Sequence, residues 1–253
     1  MQSQKHRYDE GYNYNETKSK YGKAIDAYKH GGIGLLVKKI ITYSIFRVNY
    51  STFSRSFNAD GKKYKYYFNI YNSIDSERVV EIPIALKFVN EHENKKILEI
   101  GNVLSHYFYF DHVIVDKYEK GKGITNIDIT EFNPNEKFNA IISISTIEHV
   151  GFDEEVKAPG KAFRAIEKVV KLLSENGYAL ITVPLGYNPE IDDIIRNETV
   201  NLHFSKIIYL KRISQLNSWV ETTMEDAICR KYGDRYPNAN SIAVILISTT
   251  HQL

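Results

Sequence analysis

From residue 95 onward the chain repeats one pattern, in which short continuous apolar runs alternate with turns or helical stretches. Runs that are apolar at successive positions, rather than at alternate ones, are typical of strands buried on both faces of a parallel sheet. An amphipathic helix is predicted at 159–173, with a C-cap at Asn176-Gly177. We therefore predict an α/β domain whose sheet is covered by helices. The predicted strands are 96–100, 112–115, 124–129, 139–144, 178–183, 206–210 and 241–248.

Length and composition fit a globular protein. The chain has 253 residues, 43% hydrophobic and 25% charged, which is ordinary for a soluble domain. Its 33 basic and 31 acidic side chains leave a net charge of +2, so we expect no nucleic-acid partner. Cys229 is the single cysteine, which excludes an intrachain disulfide and a cysteine metal cluster. The polar N-terminus lacks the apolar core of a signal peptide, and we expect a cytoplasmic protein.

Charge divides the chain near residue 95. Residues 1–94 carry 15 basic and 10 acidic side chains, whereas residues 95–253 carry 18 and 21. We therefore predict an N-terminal extension at 1–94 and a catalytic domain at 95–253. Proline fits only the first turn of a helix, so Pro83 moves the expected regular start of the last helix of the extension to Ile82. In the extension we expect a loosely attached start, a helix at 21–28, a hairpin of 51–58 and 64–70 turning at Asp60-Gly61, and a helix at 77–90.

The segment 33–48 permits two interpretations. Apolar residues at Ile33, Leu36, Ile40 and Tyr43 have near-helical spacing, and two adjacent lysines lie on one side. One interpretation is a helix packed on the main domain. The other is a basic amphipathic helix that makes a peripheral contact with a membrane surface.

A glycine and several polar side chains follow the predicted strands, at the edge where parallel α/β sheets bind ligands. Gly101 follows the first strand, where glycine allows a tight turn and a close backbone approach to a ligand. Asp116 closes the second, where an acid can accept both hydroxyls of a ribose. After the fourth, Glu148 stands beside His149, whose imidazole can take a proton near neutral pH. Purely structural roles as a turn, caps and a packed histidine fit the same four residues.

These motifs, in this order, resemble the class I S-adenosylmethionine (SAM) dependent methyltransferases. The similar segments are Lys96–Gly101, Val115–Asp116, Asn126–Ile129, Phe138–Ser143 with Thr146–His149, and Leu172–Pro184. The resemblance implies an α/β, Rossmann-like sheet that is mostly parallel, with an antiparallel last strand and helices on both faces. It implies SAM as the cofactor and no metal.

The resemblance also implies roles for particular residues. Asp116 would bind the ribose hydroxyls, and Glu99 would act at the methionine end, directly or through the loop of Gly101 and Asn102. Asp128 would meet the adenine amino group, with Ile129 against the ring. Ser143 and Ser145 would line the pocket beneath the sulfonium. His149 would be the general base, with Glu148 as an orienting group or acceptor contact.

The first motif departs from the family pattern. Only Gly101 remains of the usual glycine-rich loop, with Ser105 as a small residue near the last glycine position. Only 15 residues separate Gly101 from Asp116, so the first helix must be clipped or absent. A nicotinamide site, which needs the full glycine turn and an intact helix N-terminus for a pyrophosphate, is disfavoured.

The methyl acceptor is the part of the implied activity that the sequence determines least. The chain resembles an uncharacterised methyltransferase subgroup associated with glycan biosynthesis, which implies a small-molecule or carbohydrate hydroxyl. Tyrosines such as Tyr64, Tyr66, Tyr67 and Tyr71 would suit a sugar site, although strand packing explains them equally well. The alternative function is a non-catalytic Rossmann-like scaffold whose reduced glycine loop no longer binds cofactor.

Overall fold

The computed structural model describes residues 55–68, 75–197 and 204–249, together with six isolated positions between 34 and 48. The predicted helix at 21–28 and the loosely attached start lie outside the described residues. The six isolated positions are helical and exposed, so both interpretations of 33–48 stay predictions. Of the helices in the described ranges, none is long and apolar enough to cross a membrane.

The described chain forms ten strands and four α-helices. In chain order, the strands are β1 (Ser56–Ala59), β2 (Lys62–Lys65), β3 (Ile97–Ile100), β4 (Val113–Val115), β5 (Ile124–Thr125), β6 (Phe138–Ile144), β7 (Leu173–Pro184), β8 (Phe204–Arg212), β9 (Trp219–Thr222) and β10 (Ser241–Ser248). The helices are α1 (Arg78–Glu91), α2 (Lys161–Leu172), α3 (Pro189–Arg196) and α4 (Met224–Ile228).

The main sheet has the order β5-β4-β3-β6-β7-β10-β8-β9. Strands β3 to β7 pair in parallel, whereas β10 runs antiparallel between β7 and β8. This confirms the predicted α/β sheet with an antiparallel last strand. The edge strand β9 was not predicted, because its four residues carry no apolar run.

Helices cover both faces of the sheet. Since successive strand residues point to opposite faces, Ile141 of β6 packs with α2 and α3 while Ile142 packs with α1. Both side chains are fully buried. Burial on both faces explains why these strands are apolar at successive positions.

The predicted N-terminal hairpin is present as β1 and β2, while the predicted strand residues 51–54 and 69–70 lie outside the described residues. Its turn residues Asp60 and Gly61 have φ angles of 54° and 66°, the left-handed values that a two-residue hairpin turn requires. Tyr64 and Tyr66 both contact the ring of Phe57, which supports the packing interpretation of these tyrosines.

The expectation about Pro83 was wrong. Helix α1 begins at Arg78 and contains Pro83 in its interior. A proline cannot donate the hydrogen bond that the carbonyl four residues earlier would accept. Here that carbonyl belongs to Val79, and it accepts instead from the backbone N–H of Tyr67 at 3.0 Å. The hairpin segment thereby satisfies the group that the proline leaves open.

Two further boundaries differ from the sequence prediction. Helix α2 ends at Leu172 and β7 begins at once, so Asn176-Gly177 is not its C-cap. Asn176 instead has a left-handed φ of 58° within an irregular start of β7. The third predicted strand shortens to β5, because the chain turns at Asp128, whose carbonyl accepts from the backbone of Glu131 and Phe132.

Candidate cofactor and catalytic site

The loop after β3 is closed against the turn after β6. Gly101 has a φ of 81°, and a Cβ at this position would lie 2.2 Å from the Oγ1 of Thr146. Only glycine fits such a contact. The backbone N–H of Gly101 donates to the carbonyl of Val115 at 2.8 Å, so the loop is also fastened to the end of β4.

Glu99 fixes the backbone of this loop through hydrogen bonds. Its fully buried carboxylate accepts hydrogen bonds from the backbone N–H groups of Val103 at 2.9 Å and Leu104 at 2.6 Å. Its second oxygen pairs with the Nε2 of His112 at 2.7 Å. The loop continues into a short 3₁₀ turn at Leu104–His106, which confirms that the first helix is clipped. The structure therefore places Glu99 in contact with the loop.

Asp116 holds the other side of the same loop. Its carboxylate accepts from the backbone N–H of Asn102 at 3.0 Å, and from those of Tyr118 at 2.8 Å and Glu119 at 2.7 Å. Glu119, which sequence reasoning missed, accepts from the side-chain amide of Asn102 at 2.6 Å and pairs with His106 at 3.1 Å. Its signal in the sequence was only a second acid three residues after Asp116.

Asp128 lies in an ion cluster beside this loop. Its carboxylate pairs with the ammonium groups of Lys161 at 2.7 Å and Lys117 at 3.1 Å, and accepts from Thr130. Burial alone would raise the pKa of Asp128, but these hydrogen bonds outweigh burial and lower it. Ile129 is buried in the core under α2. The carboxylate thus stays ionised, and both lysines compete with any ligand for it.

The two predicted serines are bonded within the protein. Ser143 is fully buried and donates to the carbonyl of Ile100 at 3.2 Å, which ties β6 to β3. Ser145 has a left-handed φ of 39°, and its hydroxyl donates to Glu81 of α1 at 2.6 Å. Glu81 was not predicted, because it is distant in sequence.

His149 lies at the surface of the turn after β6, in an arrangement suited to a base. Its side chain is 46% exposed, and its Nδ1 is hydrogen-bonded to the carboxylate of Asp153. The hydroxyl of Tyr187 donates to the same carboxylate at 2.5 Å. Burial would raise the pKa of Asp153, but hydrogen bonds from Tyr187 and His149 lower it. An ionised Asp153 favours the tautomer that leaves Nε2 of His149 free to accept a proton.

Glu148 is buried without a hydrogen bond from another described side chain. Its side chain has no solvent exposure, and no other described residue donates a hydrogen bond to either carboxyl oxygen. The Nε2 of His149 lies 3.5 Å from one oxygen, outside hydrogen-bond geometry. Burial raises the pKa of Glu148 well above its ordinary value. An unsatisfied buried polar group costs roughly 1–3 kcal/mol.

The predicted residues thus form two joined groups and one separate one. Glu99, Gly101, Asn102 and Asp116 build the loop, and Ser145, Glu148 and His149 follow β6, with the Gly101–Thr146 contact joining the two groups. Asp128 belongs to the neighbouring ion cluster. Within the described ranges, no group of three His, Cys, Asp or Glu side chains is placed to hold a metal ion.

No protein-family model and no curated protein sequence matches the chain. Solved structures resemble it at low identity. The N-methyltransferase NodS of Bradyrhizobium japonicum, crystallised with S-adenosylhomocysteine (SAH), is 11% identical, with a TM-score of 0.46 over 82% of this chain and 97% of that chain. A Burkholderia thailandensis 1,6-didemethyltoxoflavin-N1-methyltransferase, also with SAH, is 12% identical, with a TM-score of 0.40 over 66% and 76%. An rRNA methylase of Streptococcus thermophilus is 13% identical, with a TM-score of 0.41 over 66% and 96%.

Replacing Gly101 by alanine should open the junction between the loop and the turn after β6. The new Cβ would overlap Thr146, and alanine is strained at a φ of 81°. We expect a loss of stability of about 1–3 kcal/mol, measured by urea unfolding. In a double variant that adds Thr146→Ala, removal of both the hydroxyl oxygen and the methyl group should recover part of this loss. An unchanged unfolding midpoint for Gly101→Ala would contradict the contact.

The burial of Glu148 predicts a pH-dependent stability. Its raised pKa means that the folded protein keeps a proton that the unfolded chain releases above its ordinary pKa of 4.5. The wild type should therefore lose stability as pH rises from 4.5 toward the raised pKa, by up to about 1.4 kcal/mol per pH unit. Glu148→Gln, which does not titrate, should gain on the wild type over this window in thermal unfolding. Parallel stability curves for the two proteins would contradict the assignment.

Proposed function

We propose that the chain is a SAM-dependent methyltransferase that methylates a hydroxyl group of a small molecule or sugar. The observation that carries the proposal is the junction at Gly101 and Thr146, which places a fastened glycine loop directly beside a turn that presents an oriented histidine. A loop that approaches a ligand with its backbone and a base on the adjoining turn are the two parts that such a transfer needs.

Particular residues fit the cofactor. The backbone of Gly101 and Asn102 would face its methionine end, and Asp116 its ribose hydroxyls, with Asp128 and Ile129 toward the adenine. Because three backbone N–H groups already bind the carboxylate of Asp116, its orientation is fixed before any ligand arrives. SAM, when bound, supplies an electrophilic methyl group and leaves as neutral SAH.

His149 would remove the proton of the acceptor hydroxyl. Asp153 accepts a hydrogen bond from the Nδ1 of His149. The hydroxyl of Tyr187 donates to the same carboxylate, which fixes the orientation of Asp153 and therefore of the imidazole. This is the arrangement in which an orienting carboxylate keeps a catalytic imidazole in the tautomer that accepts at Nε2. Asp153 and Tyr187 are positioning residues, since they act through His149.

Aromatic side chains around this turn support a sugar-like acceptor. The ring of Tyr187 lies 5.0 Å from that of His149 and 5.0 Å from that of Tyr232. Burial and nearby carboxylates raise the pKa of Tyr232 to about 12, so its phenol stays protonated and able to donate. Phenols that donate hydrogen bonds beside half-buried aromatic rings suit a polyhydroxyl ligand. This is the support for an acceptor from glycan biosynthesis.

Titration with cofactor tests the proposal against the scaffold alternative. We expect micromolar binding of SAM and SAH in calorimetry and none of NAD. Asp116→Ala should weaken SAM binding at least tenfold, because it removes a paired hydrogen-bond acceptor and releases the loop. Circular dichroism controls for folding. Absence of binding of either nucleoside by the wild type would favour the scaffold.

The base assignment predicts different effects on turnover and on cofactor affinity. His149→Ala should lower turnover by about 10²–10⁴-fold, the usual contribution of a general base, while its SAM affinity stays near that of the wild type. Transfer of radiolabelled methyl from SAM to a panel of glycosides measures turnover. Asp153→Asn should lower turnover as well and alter its pH profile, because the amide no longer selects the tautomer. Full turnover by His149→Ala would move the base role elsewhere.

A further inference from the structure

Glu148 differs from the other buried carboxylates around the turn after β6. Glu81 accepts hydrogen bonds from Ser145 at 2.6 Å and Thr182 at 2.7 Å, and Glu77 accepts from the backbone N–H of Ala239 at 3.2 Å. Glu148 is equally buried, but no other described residue donates a hydrogen bond to either of its carboxyl oxygens, and the backbone contact that lowers its pKa comes from its own N–H. A buried polar group that lacks hydrogen bonds within the protein is often one that interacts with a ligand or takes part in catalysis.

Two acids and one guanidinium face Glu148, together with neutral phenols and a histidine. Glu77 precedes α1, and Glu81 and Arg78 lie in it. Two phenols come from the segments around residues 187 and 232, and His149 adjoins Glu148 on its own turn. Arg78 is the cation of this set, and its guanidinium is bonded to Glu81. Its attraction for Glu148 is outweighed by burial and the two acids. The surroundings therefore favour the arrival of a positive charge.

The position of Glu148 indicates where such a charge would come from. It lies two residues after Thr146, which closes against Gly101 of the candidate cofactor loop. The cofactor proposed for this loop carries a sulfonium cation before the reaction, and its product form carries a neutral thioether. The two forms share their adenosine, ammonium and carboxylate groups, so the sulfonium is the charge that distinguishes them.

We infer that Glu148 is the charge partner of the sulfonium, ionised when SAM is bound and protonated when SAH is bound. This inference rests on the proposed function. Its raised pKa in the free protein means that binding of the cation must drive a proton off the carboxyl group. SAM binding is then linked to proton release, whereas SAH binding is not.

Because Glu148 becomes protonated when SAM is converted to SAH, it can take up the proton that the acceptor hydroxyl loses. In the transfer the O–H bond of the acceptor breaks, an O–CH₃ bond forms, and the S–CH₃ bond gives its electron pair to sulfur. The proton passes to the Nε2 of His149, which lies 3.5 Å from a carboxyl oxygen of Glu148, and a rotation of the imidazole that brings the two atoms within hydrogen-bond distance then delivers it to that oxygen. The site begins with a carboxylate and a cation and ends with a neutral acid and a thioether, so its net charge is unchanged.

Calorimetric titration with SAM and with SAH tests the inference on the whole chain. Each ligand is titrated between pH 5.5 and 8.0 in two buffers of different ionisation enthalpy, which gives the number of protons released per ligand bound. For the wild type we expect SAM to release up to one proton more than SAH. The ratio of SAM to SAH affinity should rise with pH by up to tenfold per unit, because each released proton adds one to the slope.

Glu148→Gln and Glu77→Gln form a matched pair, since the pKa of Glu77 is also raised by burial. Glu148→Gln should abolish the difference in proton release and make the affinity ratio independent of pH, whereas Glu77→Gln should keep both. Equal proton release by wild type and Glu148→Gln, or its loss in Glu77→Gln alone, would overturn the inference. If the wild type binds neither nucleoside, the proposed function fails and the inference falls with it; if SAM binds without extra proton release, only the inference fails.

Discussion

The parallel pairing of β3 with its two neighbours is the constraint on which the site depends. Ile100 lies opposite Val115 of β4 and Ser143 of β6, so the three strands reach the same edge in register. The next residues along each strand are therefore brought together although they are far apart in sequence. A shift of one residue in this register would turn their side chains to the other face of the sheet.

Carboxylates replace the helix that usually follows the first strand of such a sheet. In a longer helix the loop amides would begin the helical hydrogen bonds. Here the carboxylates of Glu99 and Asp116 accept from the backbone of Val103, Leu104 and Asn102. The loop keeps its shape with few glycines, because side-chain carboxylates rather than a helix fix its backbone. Because the loop backbone is fixed in this way, the small number of glycines does not by itself exclude cofactor binding.

Three buried glutamates lie beside β6 and β7, and they differ in how well their surroundings stabilise the ionised carboxylate. Glu81 is stabilised by Arg78, Ser145 and Thr182, whereas burial and repulsion from Glu81 raise the pKa of both Glu77 and Glu148. Buried groups that lower stability are retained where function uses them. Glu148 is the member of this set whose carboxyl oxygens receive no hydrogen bond from another described residue.

Much of the fold was determined by the sequence itself, because its signals are local. Continuous apolar runs predicted seven of the eight strands of the main sheet, the spacing of apolar residues predicted α2, and the short interval from Gly101 to Asp116 predicted a clipped or absent first helix. The motifs also identified Glu148 and His149 as a pair after β6. The roles of the predicted site residues stay predictions, since their placement alone does not test ligand binding.

Only the tertiary structure decided the contacts that give these residues their chemistry. Tyr187 reaches Asp153 across 34 positions, and Glu81 reaches Thr182 across 101, which no local pattern records. The sequence likewise predicted that the regular helix begins near Ile82 because of Pro83, but the backbone N–H of Tyr67 bonds the carbonyl that the proline leaves open, and the helix begins at Arg78. Local propensity therefore determined the elements of this protein, whereas burial and long-range pairing determined which of its polar groups are satisfied and which are left open.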